Sequence, residues 1–265
     1  MSDEAVESDV LVDRNGAVGI VTINRPSRLN AVTPSSGERL ATAFLDLEAD
    51  SAIRAIILTG TGDRGFCTGA DISGDMGNAR DVLRDTWNPL LQTMLTLEVP
   101  LIAAINGTAA GAGVSLALAC DLRVAAPKAK LALTFAKVGL MPDTGLTWLL
   151  PRLVGLGRAN ELALLGRSLT APEAYQWGLV NQVSEVGAVL DDALAMANTV
   201  AEMSSSVATI KAAHHRALES DLASQLDFEA DKQGWLQEQS DFADATTAFN
   251  EKRPPVRSAR TPPKR

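Results

Sequence analysis

The stretch that most constrains this chain runs from Leu101 to Ala119 and consists almost entirely of apolar and small residues. A run of this length and composition has to be buried, either in a bilayer or in a protein core. Asn106 interrupts it, three glycines follow, and Asp121 stands two residues after its end. Such interruptions are typical of a turn, so we expect a buried strand, a turn and a helix here, and no membrane span.

The N-terminal part predicts a hairpin followed by a helix. Residues 9–14 and 17–24 alternate apolar and polar side chains around Asn15-Gly16, a strong hairpin signal. Thr33 precedes a proline and can cap a helix that runs to about Asp50. The apolar residues of that helix recur on one face, which indicates that the helix packs against a core.

The alternation of strand, turn and helix then recurs three times up to residue 125. The predicted strands are Ala55–Leu58, Pro100–Ile105 and Leu122–Ala125. A glycine-rich loop is expected at 60–65, one helix at about 79–97 and another from Gly111 onward. This order predicts parallel strands joined by right-handed crossovers, which is an α/β fold.

From Gly145 onward the pattern favours helices only, with at most a short strand near Val180–Val183. The predicted helices cover about 145–152, 157–165, 171–177, 187–203, 206–219 and 222–238. The second half is therefore expected to be a helical region.

Charge and cysteine content exclude several classes of function. A net charge of −8 and a pI of about 4.9 argue against nucleic-acid binding, which needs a basic surface. The basic C-terminal residues 252–265 are short and rich in proline, so we expect a solvated tail. Cys67 and Cys120 lie in different predicted elements, without the spacing of metal ligands. With an acidic, polar start of the chain, this composition predicts a reduced cytoplasmic protein without a metal.

Two segments place small residues where a strand passes into a helix or loop, at 66–72 and 106–113. Small residues let a ligand approach the backbone, and the amides at a helix start have no partner inside the helix. Two amides aimed at one point would stabilise an enolate-like oxygen. Each segment could equally be a tight connection without a function.

Four motifs in order resemble the successive signatures of the crotonase (enoyl-CoA hydratase/isomerase) superfamily. They are NRPSRLNAV (24–32), GFCTGADI (65–72), INGTAAGAGVSLALACDLRVAA (105–126) and VGLMPDTGLTWLLPRLVG (138–155). The similarity continues through 169–183 to 251–255 and so covers nearly the whole chain. The resemblance implies a crotonase (ClpP/crotonase-like) spiral of ββα units in residues 1–200. It implies a C-terminal helical trimerisation region and basic tail in residues 201–265.

The resemblance also implies a soluble acyl-CoA enzyme that forms a homotrimer or hexamer. No cofactor is expected, because CoA is part of the acyl-CoA thioester substrate. By its matching positions, the oxyanion amides fall on Ala70 and Ala112. Substrate-binding roles fall on Arg28, Leu29, Ala31, Thr68, Asp71, Ile72, Ser73, Phe135, Leu140, Trp148, Phe249 and Lys252. Of these, the residues of 28–31 are expected at the adenine end, and Phe249 and Lys252 at a neighbouring subunit's nucleotide.

The expected chemistry departs from the usual hydratase route. Family hydratases use two carboxylates to hold one water, and by resemblance their positions are Ser115 and Phe135 here. Neither residue can act as the acid or base. Asp143, in the PDTG segment, resembles the aspartate that is the acid/base in isomerase-like members of the superfamily. One carboxylate suits isomerisation, because it can remove a proton at one carbon and return it at another.

Asp143 also has a structural interpretation, since it could cap the helix that starts near Gly145. Apolar walls formed by Phe135, Leu140 and Trp148 would raise the pKa of its carboxyl.

His214 and His215 are adjacent on a predicted helix and point about 100° apart, so structural roles are expected.

Three functions stay open at this point. Isomerisation of an enoyl-CoA double bond or ring with Asp143 is favoured. The alternatives are an enoyl-CoA hydratase with a non-standard carboxylate and a non-catalytic acyl-CoA binding protein.

Overall fold

The computed structural model describes residues 8–73, 77–257 and 260. The start of the chain and the end of the predicted basic tail lie outside the described residues. Strands are β1 Val10–Asn15, β2 Val18–Ile23, β3 Ala55–Gly60, β4 Gly65–Cys67, β5 Leu101–Ile105, β6 Thr108–Ala110, β7 Leu122–Ala125, β8 Lys130–Ala132, β9 Ser168–Thr170 and β10 Gln182–Val183. Helices are α1 Pro34–Ala49, α2 Ala79–Val82, α3 Asn88–Thr96, α4 Ala112–Ala119, α5 Leu146–Leu165, α6 Ala171–Gln176, α7 Val189–Ala201, α8 Ser206–Ala217, α9 Leu222–Gln237 and α10 Ser240–Glu251.

The strands form two sheets. The larger has the order β1-β2-β3-β5-β7-β10, in which β1 and β2 are antiparallel and every other pair is parallel. The smaller has the order β4-β6-β8-β9, and only β8 and β9 are antiparallel. The parallel pairing of β3, β5 and β7 confirms the prediction from the repeated strand–turn–helix pattern.

The two sheets are connected by a spiral of repeating units. In each unit the first strand joins the large sheet, the second joins the small sheet, and a helical segment follows. The units are β3-β4 with α2 and α3, β5-β6 with α4, and β7-β8 with α5. This topology, with helices α7–α10 after it, confirms the α/β spiral of ββα units and the C-terminal helical region.

The apolar stretch from Leu101 to Ala119 forms β5, β6 and α4, as predicted. All eight residues of α4 are buried, so this helix is covered on every side. In the part of the chain that the structure describes, no helix combines the length and apolar character needed to cross a membrane.

Other predictions from local patterns are confirmed within a few residues. The hairpin turns at Asn15-Gly16, and α1 begins at Pro34 with Thr33 as its N-cap, whose hydroxyl accepts the amide of Ser36. The predicted helix at 79–97 is present, although a π-helical turn at Leu83–Trp87 separates α2 from α3.

The small sheet is where prediction from periodicity was wrong. No strand was predicted at 65–67, at 108–110 or at Ser168–Thr170, which lies between two predicted helices. These strands have three residues each, too few for an alternating pattern to appear. The two helices predicted at about 145–152 and 157–165 are confirmed, because non-helical backbone at Gly155 (φ 77°) divides α5 into two helical segments. Helix α10 was not predicted.

The C-terminal helices attach to the core by specific polar contacts. Helix α7 packs against β3, β5 and β7 of the large sheet. Lys211 of α8 is buried and its Nζ lies 2.8 Å from Oδ2 of Asp121, just after α4. Near the C-terminus, the guanidinium of Arg260 donates to the backbone carbonyls of Glu48 and Ile53. The division of the chain at residue 200 stays a prediction.

Candidate active site

The two glycine-containing segments meet where β4 and α4 lie side by side. Gly69 has φ 93°, and a Cβ there would lie 2.9 Å from the carbonyl oxygen of Ala110 and 3.4 Å from the amide nitrogen of Ala112. Gly111 has φ 53°, and its own Cβ would lie 3.9 Å from Cα of Gly69. A positive φ and this close approach both require glycine. The segments that carry Ala70 and Ala112 are therefore in direct contact.

The amides of Ala70 and Ala112 are available to a ligand. Val32 pairs with the segment around Ala70 through two backbone hydrogen bonds. Its amide donates to the carbonyl of Gly69 at 2.8 Å, and its carbonyl accepts from the amide of Asp71 at 2.9 Å. The Ala70 amide takes no part in this pairing. Ala112 is the first residue of α4, and first-turn amides have no acceptor inside their helix. Among the described residues, neither amide donates to a protein acceptor.

Close packing fixes the start of α4 against β4. A Cβ on Gly113 would lie 1.9 Å from the carbonyl oxygen of Cys67, a clash with backbone that no side-chain rotation relieves. Cys67 is buried, and burial raises the pKa of its thiol to about 12, so this neighbour is not a thiolate nucleophile at neutral pH.

Asp143 lies in the loop before α5 and is half-buried. Burial raises the pKa of its carboxyl, and a hydrogen bond from the Thr144 hydroxyl to Oδ1, 3.1 Å long, opposes that rise. No charged side chain contributes to the shift among the described residues. A carboxyl whose pKa is raised by burial has the property expected of a proton-transfer group.

The interpretation of Asp143 as a helix cap is wrong. Helix α5 begins at Leu146, its N-cap is Gly145, and no side chain caps it. The backbone carbonyl of Asp143 accepts from the amide of Leu146 at 2.9 Å, while the carboxylate is not used by the helix. The carboxylate is therefore not committed to capping.

The positions of the two usual hydratase carboxylates have different contacts in this chain. Ser115 is fully buried, and its Oγ donates to the backbone carbonyl of Asp143 at 3.3 Å. The ring of Phe135 lies 3.7 Å from the position that a Cβ on Gly111 would take, against the second glycine segment. Both positions therefore adjoin the predicted site, and neither carries a titratable group.

Predicted substrate-binding residues at 28–31 and 68–73 are joined in the structure. The hydroxyl of Thr68 donates to the backbone carbonyls of Arg28 and Leu29 at 3.4 and 3.2 Å. Ala31 is buried and Ile72 is 73% exposed. These two segments therefore form one continuous surface beside Ala70.

Asp71 is held by its neighbours. Its carboxylate accepts from the hydroxyl and amide of Ser73 and forms an ion pair of 2.9 Å with Arg25. These contacts, with the Ser73 bonds contributing most, lower the pKa of the carboxyl to about 2. Asp71 is thus ionised at neutral pH and is not a proton-transfer group.

The remaining predicted substrate-binding residues are Leu140, Trp148, Phe249 and Lys252. Leu140 is 54% exposed, and Phe249 is 84% exposed in the last turn of α10, beside Lys252. Trp148 stacks on the guanidinium of Arg152 at 4.1 Å from the ring centroid. It lines a cavity of about 470 Å³ between the end of α4, the first half of α5 and α8. That cavity is also lined by His214 and His215, and neither Asp143 nor the two amides line it.

Several residues that shape the site were not singled out from the sequence. Arg25 links Asp71 to the carbonyl of Ala31, whereas the family resemblance indicated Arg28. Asn30 and Asn106 are buried, and their side-chain amides donate to loop carbonyls between β3 and β4, among them that of Gly65. A polar residue directly after a buried strand, as at Asn106, is the signal that could have identified them.

Among the described residues, no three histidine, cysteine or acidic side chains gather into a possible metal site. The expectation that no cofactor beyond CoA is needed stays a prediction.

Comparison with known proteins agrees with the topology. Residues 13–259 match the family model described as enoyl-CoA hydratase/isomerase. The chain is 40% identical to 1,2-epoxyphenylacetyl-CoA isomerase of Escherichia coli, over 89% of this chain and 92% of that protein. It is 35% identical to short-chain-enoyl-CoA hydratase of Clostridium acetobutylicum, over 93% of this chain and 96% of that protein. The crystal structure of an enoyl-CoA hydratase from Bacillus anthracis superposes with a TM-score of 0.90 at 33% identity, over 95% of this chain and all of that one. The chain therefore belongs to the enoyl-CoA hydratase/isomerase family and is an acyl-CoA enzyme of that family.

Proposed function

We propose that the enzyme isomerises an enoyl-CoA thioester, moving a double bond or rearranging a ring, with Asp143 as the acid/base. The observation that carries this proposal is the half-buried Asp143 carboxyl with a raised pKa, whose loop is bonded to Ser115. Ser115 stands where a hydratase of the family has its first carboxylate. The 40% identity to a protein named as an isomerase supports the same choice.

In this mechanism the thioester carbonyl accepts hydrogen bonds from the amides of Ala70 and Ala112. Asp143 removes a proton from the α carbon of a β,γ-enoyl thioester, and the electron pair moves onto the carbonyl oxygen. The resulting dienolate keeps its negative charge at the two amides, each worth about 3–4 kcal/mol in other enzymes. The protonated Asp143 then returns its proton to the γ carbon, which gives the α,β isomer and regenerates the carboxylate.

Burial favours this cycle because it brings the pKa of Asp143 closer to the working pH. The hydroxyl of Ser115 and the ring of Phe135 carry no group that could hold and deprotonate a water. Phe135 instead adds an apolar wall against Gly111, which suits a reaction that excludes water.

Hydration is the second candidate, because the Clostridium relative carries the name of a hydratase. It would require Asp143 alone to orient and deprotonate a water. A non-catalytic acyl-CoA binding protein would use the amides and the 28–31 surface and transfer no proton.

Product analysis separates the three. Purified enzyme is incubated with a β,γ-enoyl-CoA and, separately, with crotonyl-CoA in deuterated water, and products are followed by NMR and mass spectrometry. Conversion of the β,γ-enoyl-CoA to the α,β-enoyl-CoA supports isomerisation, and deuterium at the γ carbon of that product measures how often the Asp143 proton exchanges with solvent before it is returned. If crotonyl-CoA gives the 3-hydroxyacyl thioester and the β,γ-enoyl-CoA gives no isomer, the enzyme is a hydratase and the proposed isomerisation is wrong. Binding of both thioesters without any proton exchange would leave only the binding role.

The oligomer and the nucleotide contacts are part of the same proposal. We expect a homotrimer or hexamer in which the C-terminal helices face a neighbouring chain. Large apolar side chains exposed on α9 and α10 support this arrangement: Leu222, Leu226, Trp235, Phe242 and Phe249. Phe249 and Lys252 would then reach a neighbour's CoA, and residues 28–31 would hold the adenine end.

A further inference from the structure

Thr144 adopts a backbone conformation that its side chain disfavours. Its φ is 48°, in the left-handed region, where a β-branched residue is a genuine outlier. Of the four non-glycine residues with positive φ in the described chain, Thr144 alone is β-branched. Glycine would take this conformation without strain. The chain nevertheless has a threonine here, with a side chain that is almost fully buried.

The turn itself does not explain the threonine. The next residue, Gly145, has φ 72°, which favours glycine, and a Cβ there would lie 2.0 Å from Cδ2 of Leu91, so that side chain would have to move. Packing of Gly145 on Leu91 and the start of α5 therefore already define the course of the backbone. What threonine adds to the turn is its hydroxyl and its methyl group.

The Thr144 hydroxyl donates to Oδ1 of Asp143 at 3.1 Å. The backbone of Asp143 is held independently, because its carbonyl accepts from Leu146 at 2.9 Å and from the Ser115 hydroxyl at 3.3 Å. These bonds do not restrain the carboxylate, which accepts from the backbone amide of Asp143 itself and from the Thr144 hydroxyl. The bond from Thr144 acts on the carboxylate directly and restricts its orientation.

We propose that Thr144 is a positioning residue, whose hydroxyl orients the Asp143 carboxylate for proton transfer and whose strained backbone is retained for that contact. Backbone strain of about 1–3 kcal/mol persists where the surrounding structure imposes it, and such strain clusters at functional sites. This inference rests on the proposed role of Asp143. The hydroxyl also stabilises the ionised carboxylate, so it limits how far burial raises the pKa.

The test compares three variants of the full-length enzyme. Thr144→Val keeps the shape and β-branching but removes the hydroxyl, Thr144→Ser keeps the hydroxyl, and Thr144→Gly removes both hydroxyl and strain. Thr147→Val is the matched control, because Thr147 lies exposed one turn further along, in α5. For each variant kcat, KM, the pH dependence of kcat and the thermal midpoint are measured with a thioester that the wild type turns over.

We expect Thr144→Val to lower kcat by about 10-fold to 100-fold with little change in KM, the size seen when a catalytic group is misplaced. The rising limb of its pH profile should move to higher pH, because the ionised carboxylate has lost a donor. Thr144→Ser should restore most of the activity. Thr144→Gly should melt at a higher temperature than Thr144→Val and yet be as slow. Thr147→Val should behave as the wild type.

Wild-type kcat and pH profile in both Thr144→Val and Thr144→Gly would overturn the inference. So would a loss of activity in Thr144→Ser as large as in Thr144→Val, since the hydroxyl would then not be the cause. Asp143→Asn, measured alongside, distinguishes the two proposals. If Asp143→Asn is inactive and Thr144→Val is normal, only the role of Thr144 fails. If Asp143→Asn is fully active, the proposed function fails.

Discussion

Ser115 and Asp143 are joined by a hydrogen bond of 3.3 Å, from the serine hydroxyl to the backbone carbonyl of the aspartate. The serine lies one turn into the buried helix α4, whose first residue is Ala112. The same helix therefore carries one of the candidate oxyanion amides and holds the loop of the candidate acid/base. One rigid element therefore relates the amide of Ala112 to the backbone of the Asp143 loop.

The packing of α4 on β4 gives a first prediction. In Gly113→Ala the added Cβ would meet the backbone of Cys67 at 1.9 Å, so α4 has to move away from β4. Overpacking of this kind costs about 1–3 kcal/mol or more in the free energy of unfolding. We expect a lower urea midpoint together with a loss of turnover, measured by urea unfolding and by the isomerase assay.

The matched control is Gly157→Ala, in α5, where a Cβ would meet nothing within 4 Å. Alanine is favoured over glycine in a helix by about 0.5–1 kcal/mol, so this variant should be at least as stable as the wild type. A Gly113→Ala variant as stable and active as Gly157→Ala would show that the close contact of α4 with β4 is not needed.

The segment that carries Ala70 depends on Arg25. Its guanidinium pairs with Asp71 at 2.9 Å and also donates to the carbonyl of Ala31. Arg25→Gln removes the charge and should loosen the loop that presents the Ala70 amide, which we expect to lower kcat/KM by about 10-fold. Arg14→Gln is the matched control, because it breaks the exposed ion pair between Arg14 and Asp50. This variant should keep the wild-type activity, and its free energy of unfolding should change by no more than about 1 kcal/mol.

Steady-state kinetics of the two arginine variants check this prediction. Equal activity of Arg25→Gln and Arg14→Gln would mean that the Arg25–Asp71 pair does not hold the site.

Burial of Asp143 predicts a pH-dependent cost in stability. Its folded-state pKa is raised above 3.8, so the folded protein binds the proton more tightly than the unfolded chain does. The stability from this group is present below pH 3.8 and is lost as the pH rises through the raised pKa. Asp143→Asn should therefore be more stable than the wild type at pH 7–8, with a gain that shrinks towards pH 3.8.

Urea unfolding of both proteins between pH 4 and 8 measures this gain. A difference in free energy of unfolding that does not change with pH would show that the pKa of Asp143 is not raised in the folded enzyme. The expected result is a variant that is more stable and less active, as is common where an active site keeps a buried charge.

Much of the fold follows from local patterns. The hairpin turn at Asn15-Gly16, the cap at Thr33 and the buried strand–turn–helix from Leu101 to Ala119 are each specified by a few neighbouring residues. The small sheet is not, because its strands are short and their pairing depends on segments far apart in the chain. The β4–β6 pairing, for example, joins Gly65 to Thr108.

The candidate site could be located from the sequence but not assembled. The motifs identified Ala70, Ala112 and Asp143 through the family resemblance. The contacts that orient these groups come from Arg25, Ser115 and Thr144, and they depend on distances between elements that no spacing in the sequence reveals. The strain at Thr144 in particular is a property of the folded backbone.

The role of Asp143 as acid/base is tested most directly by the exchange of the α protons of a bound acyl-CoA with deuterated water. The exchange rate is measured by NMR for the wild type and for Asp143→Asn. The amides of Ala70 and Ala112 are intact in the variant, so binding of the thioester should be unchanged in a titration. We expect exchange to fall by about 10²-fold to 10⁴-fold in Asp143→Asn, the contribution of a positioned acid/base. Exchange at the wild-type rate in Asp143→Asn would contradict this role.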